Sequence, residues 1–212
     1  MKPVRILLTG FEPFGGETVN PALEAVKLVK APEDVQLNTL AVPVSFRDAI
    51  PTAAAVIRAK KPDAVLLVGQ AGGRSEFSVE RVAINVMDAV NPDNDGFAPR
   101  DLPILRDGPA AYFSTLPVRK ITETLVSRGV PARISNTAGT YVCNQLMYGV
   151  LHILKEEFPD SRGGFIHVPY LPEQAAESGK GLPSMSLDLI VRGIEAALQV
   201  IAEEVPPFKE NL

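Results

Sequence analysis

The stretch Ser135-Asn136-Thr137-Ala138-Gly139-Thr140-Tyr141-Val142-Cys143-Asn144-Gln145 joins a predicted strand to a predicted helix. Residues 131–135 before it are typical of a short strand, and Thr140 is a candidate N-cap for the helix. The helix is predicted by apolar residues that recur at helical spacing: Val142, Leu146, Val150, Ile153, Leu154 and Phe158.

The same alternation of strand and helix recurs along the chain. Buried strands are predicted at Val4–Thr9, Val35–Val42 and Asp63–Gly69, and helices begin at Asn20 and Ser45. Strands separated by helices indicate an α/β fold in which a largely parallel sheet is covered on both faces. No linker, repeat or low-complexity tract divides the chain, so we expect one domain over residues 1–212.

The sequence also predicts the local structure of three further segments. Residues 10–16 are predicted to form a loop, Ser78–Val86 a single strand with Glu80 on its apolar face, and Leu171–Ser184 a mobile polar loop. Sites in such sheets lie beyond the carboxyl ends of the strands. This favours residues 10–16, residues 69–74 and the turn that carries Cys143.

Composition excludes several classes of function. A net charge of −4 without a Lys/Arg run argues against nucleic-acid binding, and no apolar run reaches the length of a membrane span. The N-terminal residues are typical of a first strand and not of a signal peptide. The 212 residues contain one cysteine, which allows no internal disulfide and fits a reducing cytosol.

Cys143 is the first candidate for chemistry. In the first turn of a helix, free N–H groups and the helix dipole favour an anion, so the position is expected to lower the thiol pKa. The alternative is a buried structural cysteine, which is common for this residue type.

Only His152 and His167 are available as a base for Cys143. His152 lies in the same predicted helix, about 13 Å along it and roughly on the opposite face, and cannot reach the thiol. His167, near the carboxyl end of a predicted strand, can. The sequence lacks the residue spacing that a zinc site, an EF-hand or a dinucleotide site requires. The residues therefore favour Cys143 as nucleophile, His167 as base and Glu80 as the carboxylate that orients the imidazole.

Four blocks resemble those of the pyroglutamyl peptidase I (pyrrolidone-carboxylate peptidase) family. They occur in the family's order and are Thr9–Gly16 (TGFEPFGG), Glu80–Val86 (ERVAINV), Ser135–Asn144 (SNTAGTYVCN) and Gly164–Tyr170 (GFIHVPY). The resemblance implies a single α/β/α sandwich domain with a largely parallel, mixed and twisted central sheet.

The same resemblance implies a catalytic triad of Glu80, Cys143 and His167. It implies removal of N-terminal pyroglutamate from peptides by a cytoplasmic homo-oligomer, a dimer or tetramer, without metal or cofactor. The thiolate of Cys143 is expected to attack the pyroglutamyl carbonyl and form a thioester, and His167 to move the protons.

The substrate lactam is compact and uncharged, so its pocket needs apolar walls and a few neutral hydrogen-bonding groups. Phe11 and Phe14 are expected to form walls, Gln70 to bond the lactam amide, and Tyr141 and Val142 to contact the substrate beside the nucleophile. Backbone N–H groups around Cys143 are the expected oxyanion donors.

The sequence departs from the family pattern after the Glu80 block. Many members carry an arginine, proposed to assist at the oxyanion, where this chain has Val90, and Met87 is a second departure. Either backbone donors suffice, or the rate is lower, or Arg81 or Arg74 substitutes.

Two alternatives remain open from the sequence. The same scaffold suits a non-catalytic protein that binds a small ring compound, and it is analogous to that of nucleoside-phosphorylase-like enzymes. The second alternative requires a phosphate site, for which the sequence offers no basic, glycine-rich loop.

Overall fold

The computed structural model describes residues 2–205. The strands are β1 (Val4–Phe11), β2 (Val35–Val42), β3 (Ala64–Gln70), β4 (Phe77–Glu80), β5 (Val82–Ile84), β6 (Ala111–Phe113), β7 (Ala132–Ser135) and β8 (Arg162–Val168). The helices are α1 (Pro21–Leu28), α2 (Ala49–Lys60), α3 (Val118–Ser127), α4 (Val142–Glu157), α5 (Pro172–Ser178) and α6 (Leu187–Glu204). The domain expected over residues 1–212 includes Met1 and residues 206–212, which lie outside the described residues.

A six-stranded sheet in the order β2-β1-β3-β8-β4-β7 forms the centre of the structure. Strands β2, β1, β3 and β8 are parallel, β4 runs antiparallel to β8, and β7 is parallel to β4. The predicted α/β class, with a largely parallel but mixed sheet between helices, is therefore confirmed.

Both faces of the sheet are buried, which explains why β3 is a continuous apolar run. Leu66 and Val68 belong to the core beneath α1, α3 and α6, whereas Val65 and Leu67 belong to the core beneath α2 and α4. Burying each such side chain stabilises the fold by about 1.5–3 kcal/mol. Among residues 2–205, no helix is long and apolar enough to cross a membrane.

The single strand predicted over Ser78–Val86 is wrong. Strand β4 ends at Glu80, and β5 pairs with β6 in a separate two-stranded sheet. The change occurs at Arg81, whose N–H donates to Ser135 of β7 while its carbonyl accepts from the N–H of Ser114, next to β6. The chain therefore leaves the main sheet directly after Glu80.

Two predicted loops contain regular structure. Strand β1 continues through Gly10 and Phe11 because β2 supplies parallel partners for both residues. The polar segment after Leu171 forms α5, and the side chain of Gln174 accepts the N–H of Leu171 at the start of that helix. Local composition predicted a loop because both features depend on partners elsewhere in the fold.

The helix start predicted at Asn20 is observed, and Ser186 caps α6 in a similar way. Asn20 accepts from the N–H of Ala22, and Ser186 accepts from the N–H of Leu189. The second helix begins at Ala49, later than the expected start at Ser45, because Ser45 closes the preceding turn by accepting from the N–H of Asp48.

We predict that Gly193→Ala lowers the free energy of unfolding by about 1 kcal/mol. A Cβ at residue 193 of α6 would lie 2.5 Å from Cζ of Phe77, a fully buried ring on β4. Overpacking at such a contact costs about 1–3 kcal/mol, which exceeds the helix propensity gained, about 1 kcal/mol. Chemical denaturation measures the change. The exposed Gln199→Ala on the same helix is the control, with a change within about 0.5 kcal/mol, and a more stable Gly193→Ala protein would contradict the packing argument.

Candidate active site

His167 and Glu80 lie on neighbouring antiparallel strands. Ser78 is paired with His167 and Glu80 with Phe165, so all four side chains point to the sheet face that α2 and α4 cover. Glu80 is 0% exposed and His167 4% exposed. Nδ1 of His167 lies 2.7 Å from Oε1 of Glu80. The structure therefore brings these two sequence-predicted residues into direct contact.

The thiol of Cys143 reaches the same face from the start of α4. Gly69 on β3 is paired with His167 on β8, and a Cβ built at Gly69 would lie 3.3 Å from Sγ of Cys143. Neighbouring strands are separated by about 4.8 Å. The thiol therefore lies over Gly69, beside the strand position of the imidazole, in space that a side chain at residue 69 would restrict.

Arg74 forms the second contact of the Glu80 carboxylate. Its Nη1 lies 2.7 Å from the same oxygen, Oε1, that contacts His167. The other oxygen, Oε2, is buried and has no hydrogen-bond partner within residues 2–205. A buried carboxylate requires compensation of this kind, and Arg74 supplies the positive charge.

Arg81, the other arginine considered as a substitute for the family arginine, lies elsewhere. Its Nη1 donates to Oδ1 of Asn136 at 2.9 Å, at an exposed position. Of the two, only Arg74 contacts the candidate triad.

Burial sets the protonation of the site. It opposes the charge on Glu80, but the hydrogen bond from His167, the nearby Ser135 side chain and the contact with Arg74 leave the pKa of Glu80 below its ordinary value. Burial lowers the pKa of His167, against the opposing effect of Glu80. Burial, followed by the negative charge of Glu80, raises the pKa of Cys143 to about 12.

The expected lowering of the thiol pKa is therefore wrong. Cys143 does lie in the first turn of α4, but removal of its sulfur from water, together with the negative charge of Glu80, outweighs the positive charge of Arg74 and the backbone N–H of Cys143. At neutral pH the site holds a carboxylate, a neutral imidazole and a neutral thiol.

The N-cap of α4 is Tyr141, not Thr140 as the sequence indicates. The hydroxyl of Thr140 instead donates to the carbonyl of Asp88, and the first intrahelical bond runs from the N–H of Gln145 to the carbonyl of Tyr141. The N–H groups of Val142, Cys143 and Asn144 precede that bond, so they have no partner within the helix and are available to an anion.

Asn144, which the sequence reasoning missed, anchors the helix start. Its Oδ1 accepts the N–H of Ile84, and its Nδ2 donates to the carbonyls of Ile84 and Val86. These bonds connect the residue after Cys143 to the strand that follows Glu80. The one sequence signal for such a role is an asparagine within the apolar run of the helix. The structure shows this side chain fully buried, where its amide needs hydrogen-bond partners.

A cleft of about 750 Å³ opens beside the start of α4. Phe14 and Tyr141 line it, with ring centroids 6.2 Å apart, together with residues 88–94. Phe11 is buried against Phe165 and does not line this cleft, and the side chain of Val142 is also buried. Of the predicted substrate contacts Phe11, Phe14, Tyr141 and Val142, only Phe14 and Tyr141 therefore line the cleft.

Gln70 is buried at the end of β3, directly after Gly69. Its Oε1 accepts a hydrogen bond of 3.1 Å from Nε2 of Gln174 on α5, a residue the sequence reasoning did not identify. The two partners are far apart in sequence, and no local pattern connects them.

His152 lies away from the site. Its Nδ1 is 2.8 Å from the hydroxyl of Tyr112, as expected for a structural side chain. Within residues 2–205, no three His, Cys, Asp or Glu side chains are grouped so that they could hold a metal ion. A separate cavity of about 170 Å³ between Tyr112 and Leu151 includes none of the candidate catalytic residues.

Comparison with known proteins relates this chain to peptidases. The model of the pyroglutamyl peptidase family matches residues 4–204. The pyrrolidone-carboxylate peptidase of Thermosipho africanus is 51% identical over 202 residues, which cover 95% of this chain and 98% of that protein. The pyrrolidone-carboxylate peptidase of Brevibacillus brevis is 53% identical over 196 residues, covering 92% and 91%.

Solved structures agree with the sequence relatives. Pyroglutamyl peptidase I from Bacillus amyloliquefaciens superimposes with a TM-score of 0.92 at 43% identity, covering 99% of this chain and 100% of that one. A variant pyrrolidone carboxyl peptidase from Pyrococcus furiosus gives a TM-score of 0.93 at 43% identity, covering 96% and 100%.

We predict that alkylation of Cys143 by iodoacetamide accelerates about tenfold per pH unit from pH 7 to 9 without levelling off. A thiol with a pKa raised to about 12 stays protonated over this range, so its thiolate fraction keeps rising with pH. Mass spectrometry of the single cysteine gives the rate, and a free cysteine derivative, which levels off above a pKa of about 8.5, serves as control. A plateau near neutral pH would instead indicate a preformed thiolate.

Proposed function

The chain belongs to the pyroglutamyl peptidase family, and we propose that Cys143, His167 and Glu80 are the catalytic residues of its reaction. It is a cysteine peptidase that removes N-terminal pyroglutamate from peptides. The observation that carries the assignment of roles is the placement of the Cys143 thiol, the His167 ring and the Glu80 carboxylate on one sheet face. The family match supports neither the ring-binding nor the phosphorylase-like alternative.

Glu80 determines which nitrogen of His167 is the base. Because the pKa of Glu80 is lowered, its ionised Oε1 accepts a hydrogen bond and the proton resides on Nδ1 of His167. Nε2 is then unprotonated and able to accept a proton. Both the tautomer and the ring orientation follow from a single contact of 2.7 Å.

The reaction begins from a neutral thiol. As sulfur attacks the carbonyl carbon of pyroglutamate, the thiol proton moves to Nε2 of His167, which becomes an imidazolium beside Glu80. That proton then passes to the leaving amine, the C–N bond breaks, and a thioester remains on Cys143. A water molecule gives a proton to Nε2 and attacks the thioester, which releases pyroglutamate and returns the proton to sulfur.

Free N–H groups in the first turn of α4 stabilise the negative oxygen of each tetrahedral intermediate. They lie at the positive end of the helix dipole, adjacent to the attacking sulfur. Arg74 is held by Glu80, and Val90, at the position of the family arginine, is 83% exposed on the cleft rim. The oxyanion is accordingly assigned to backbone donors alone.

The cleft between Phe14 and Tyr141 is the proposed site of the lactam ring. Aromatic walls suit a flat, uncharged ring. Gln70, which the sequence predicts to bond the lactam amide, lies at the end of β3 and does not line this cleft.

We also propose that the chain acts as one catalytic domain in a cytoplasmic homo-oligomer, a dimer or tetramer. Both core clusters share the one six-stranded sheet, and the family model spans residues 4–204. A sequence with one cysteine suits a reducing compartment. Exposed apolar side chains such as Phe113 and Val126 are surfaces that an assembly would bury.

We predict that Cys143→Ala lowers kcat/KM for a fluorogenic pyroglutamyl amide by about 1,000-fold or more, because no thioester can form. Release of the fluorescent amine measures turnover, and the melting temperature verifies the fold. The unaltered protein is expected to leave the matched prolyl amide intact. Full turnover by Cys143→Ala would exclude the assigned nucleophile.

We predict that His167→Asn lowers kcat by about 100-fold or more, since proton transfer contributes about 10²–10⁴ to such reactions. The matched control is His152→Asn, which alters the only other histidine and removes its contact with Tyr112. Its kcat is expected to stay within about threefold of the unaltered protein. Equal losses in the two variants would contradict the role of His167.

A further inference from the structure

Oε1 of Glu80 is shared between a positively charged side chain and the proposed base. Nη1 of Arg74 and Nδ1 of His167 each lie 2.7 Å from this one oxygen. A carboxylate oxygen has two lone-pair sites, so Oε1 has no capacity for a third partner. The guanidinium and the imidazole therefore meet through a single atom, and their contacting nitrogens are separated by no more than twice that distance.

The loop after β3 holds Arg74 in this place. The N–H of Arg74 donates to the carbonyl of Ala71 at 3.3 Å, which closes a turn. A Cβ at Gly72 would overlap the ring of Tyr170, so the loop packs closely against the segment that follows β8. The side chain of Arg74 is 24% exposed, whereas that of Glu80 is fully buried. A positive charge at the edge of the protein therefore reaches a buried carboxylate.

The charges of the resting site cancel because Arg74 is present. An arginine side chain stays protonated in proteins, Glu80 is ionised, and the imidazole and the thiol are neutral. Protonation of the imidazole would add an uncompensated positive charge in a dry environment, which is unfavourable. Without Arg74, the same protonation would instead neutralise a lone buried carboxylate, so the ring would take up a proton at higher pH.

Among the described residues, the other groups that face the imidazole carry no competing charge. Strand β3 faces it with Gly69 and β4 with the hydroxyl of Ser78, neither of which titrates. Helix α4 contributes the thiol of Cys143, which stays neutral because burial raises its pKa to about 12. Burial, the largest effect, and the charge of Arg74 lower the pKa of the imidazole, whereas Glu80 raises it.

We propose that Arg74 is a positioning residue that acts on His167 through Glu80. Its charge keeps the ring unprotonated, and so able to accept the thiol proton, at pH values where Glu80 alone would hold the ring charged. The inference rests on the proposed function. After the thiol proton has moved to Nε2, the same charge makes the imidazolium a stronger acid, which favours proton transfer to the leaving amine. Neither effect requires Arg74 to touch the substrate.

The test removes the charge in Arg74→Gln, which retains an amide donor for Oε1, and preserves the charge in Arg74→Lys. The matched control is Arg81→Gln, which removes an arginine charge directly after Glu80 from a side chain that contacts Asn136 and not the carboxylate. Each protein gives a midpoint for the acid limb of kcat/KM with a pyroglutamyl amide, and a midpoint for the His167 ring from NMR of isotope-labelled histidine. The signal of the other histidine is identified by its absence from His152→Asn.

We expect Arg74→Gln to raise both midpoints by about one pH unit, because a nearby positive charge that disfavours the imidazolium is lost. Arg74→Lys retains a charge near Glu80 and is expected to shift the midpoints by less than half as much. Arg81→Gln alters an exposed and hydrated charge, so its midpoints are expected within about 0.2 pH units of the unaltered protein. Melting temperatures verify that each variant is folded.

An unchanged or lowered His167 midpoint in folded Arg74→Gln would overturn the proposal, and so would an equal rise in Arg74→Lys or Arg81→Gln. If Arg74→Gln does not fold, Arg74→Met, whose apolar chain keeps the packing of the arginine stem, takes its place. The unaltered protein offers a test without any variant: a His167 midpoint below the ordinary value of about 6.5 supports the proposal, and one above it rejects the proposal. Failure of the unaltered protein to hydrolyse the pyroglutamyl amide would refute the proposed function, whereas the NMR midpoints would still decide the role of Arg74.

Discussion

One oxygen atom of a fully buried carboxylate, Oε1 of Glu80, contacts both the His167 ring and the Arg74 guanidinium. An unpaired charge at this depth would cost several kcal/mol, so the fold around it has to supply partners. The reversed direction of β4 brings Glu80 beside β8, and the loop after β3 returns Arg74 to the same point. Directly after this residue, at Arg81, the chain leaves the main sheet.

Burial of the carboxylate also decides the chemistry of its neighbours. Dry surroundings strengthen the contact between Glu80 and His167 but oppose a second charge pair, so the imidazole and thiol rest in their neutral forms. A thiol that rests in its neutral form also avoids the thiolate, which is the form most easily oxidised. In the proposed mechanism, the nucleophile forms only when the substrate carbonyl, the free N–H groups of α4 and the base act together. Glu80 then balances the charge that forms on the imidazole.

The layers of this fold could be predicted from the sequence, and the three residues proposed as catalytic could be selected from it, for reasons that are local. Apolar runs such as β3 predict buried strands, and the helical period excludes His152 as a partner of Cys143. Where the prediction from sequence was wrong, the residue that determines the local structure lies far away in the chain. Strand β5 leaves the sheet because Ser114 offers a hydrogen bond at Arg81, and the thiol pKa rises because the sheet covers a helix start that in isolation would lower it. The contacts made by Arg74, Asn144 and Gln174 depend on the same closure of the fold.

Recognition of a neutral ring raises a problem that charge cannot solve. A lactam offers one acceptor and one donor on adjacent atoms, and a glutamine side chain offers the same pair, so a freely rotating amide would match either atom and select neither. Selectivity requires that the amide be held in one orientation by groups whose roles cannot be exchanged. In this protein the backbone N–H of Leu171 and the carboxylate of Glu17 are such groups for the buried amide of Gln174. A short helix that local composition marks as a loop therefore carries an amide whose orientation distant parts of the fold determine.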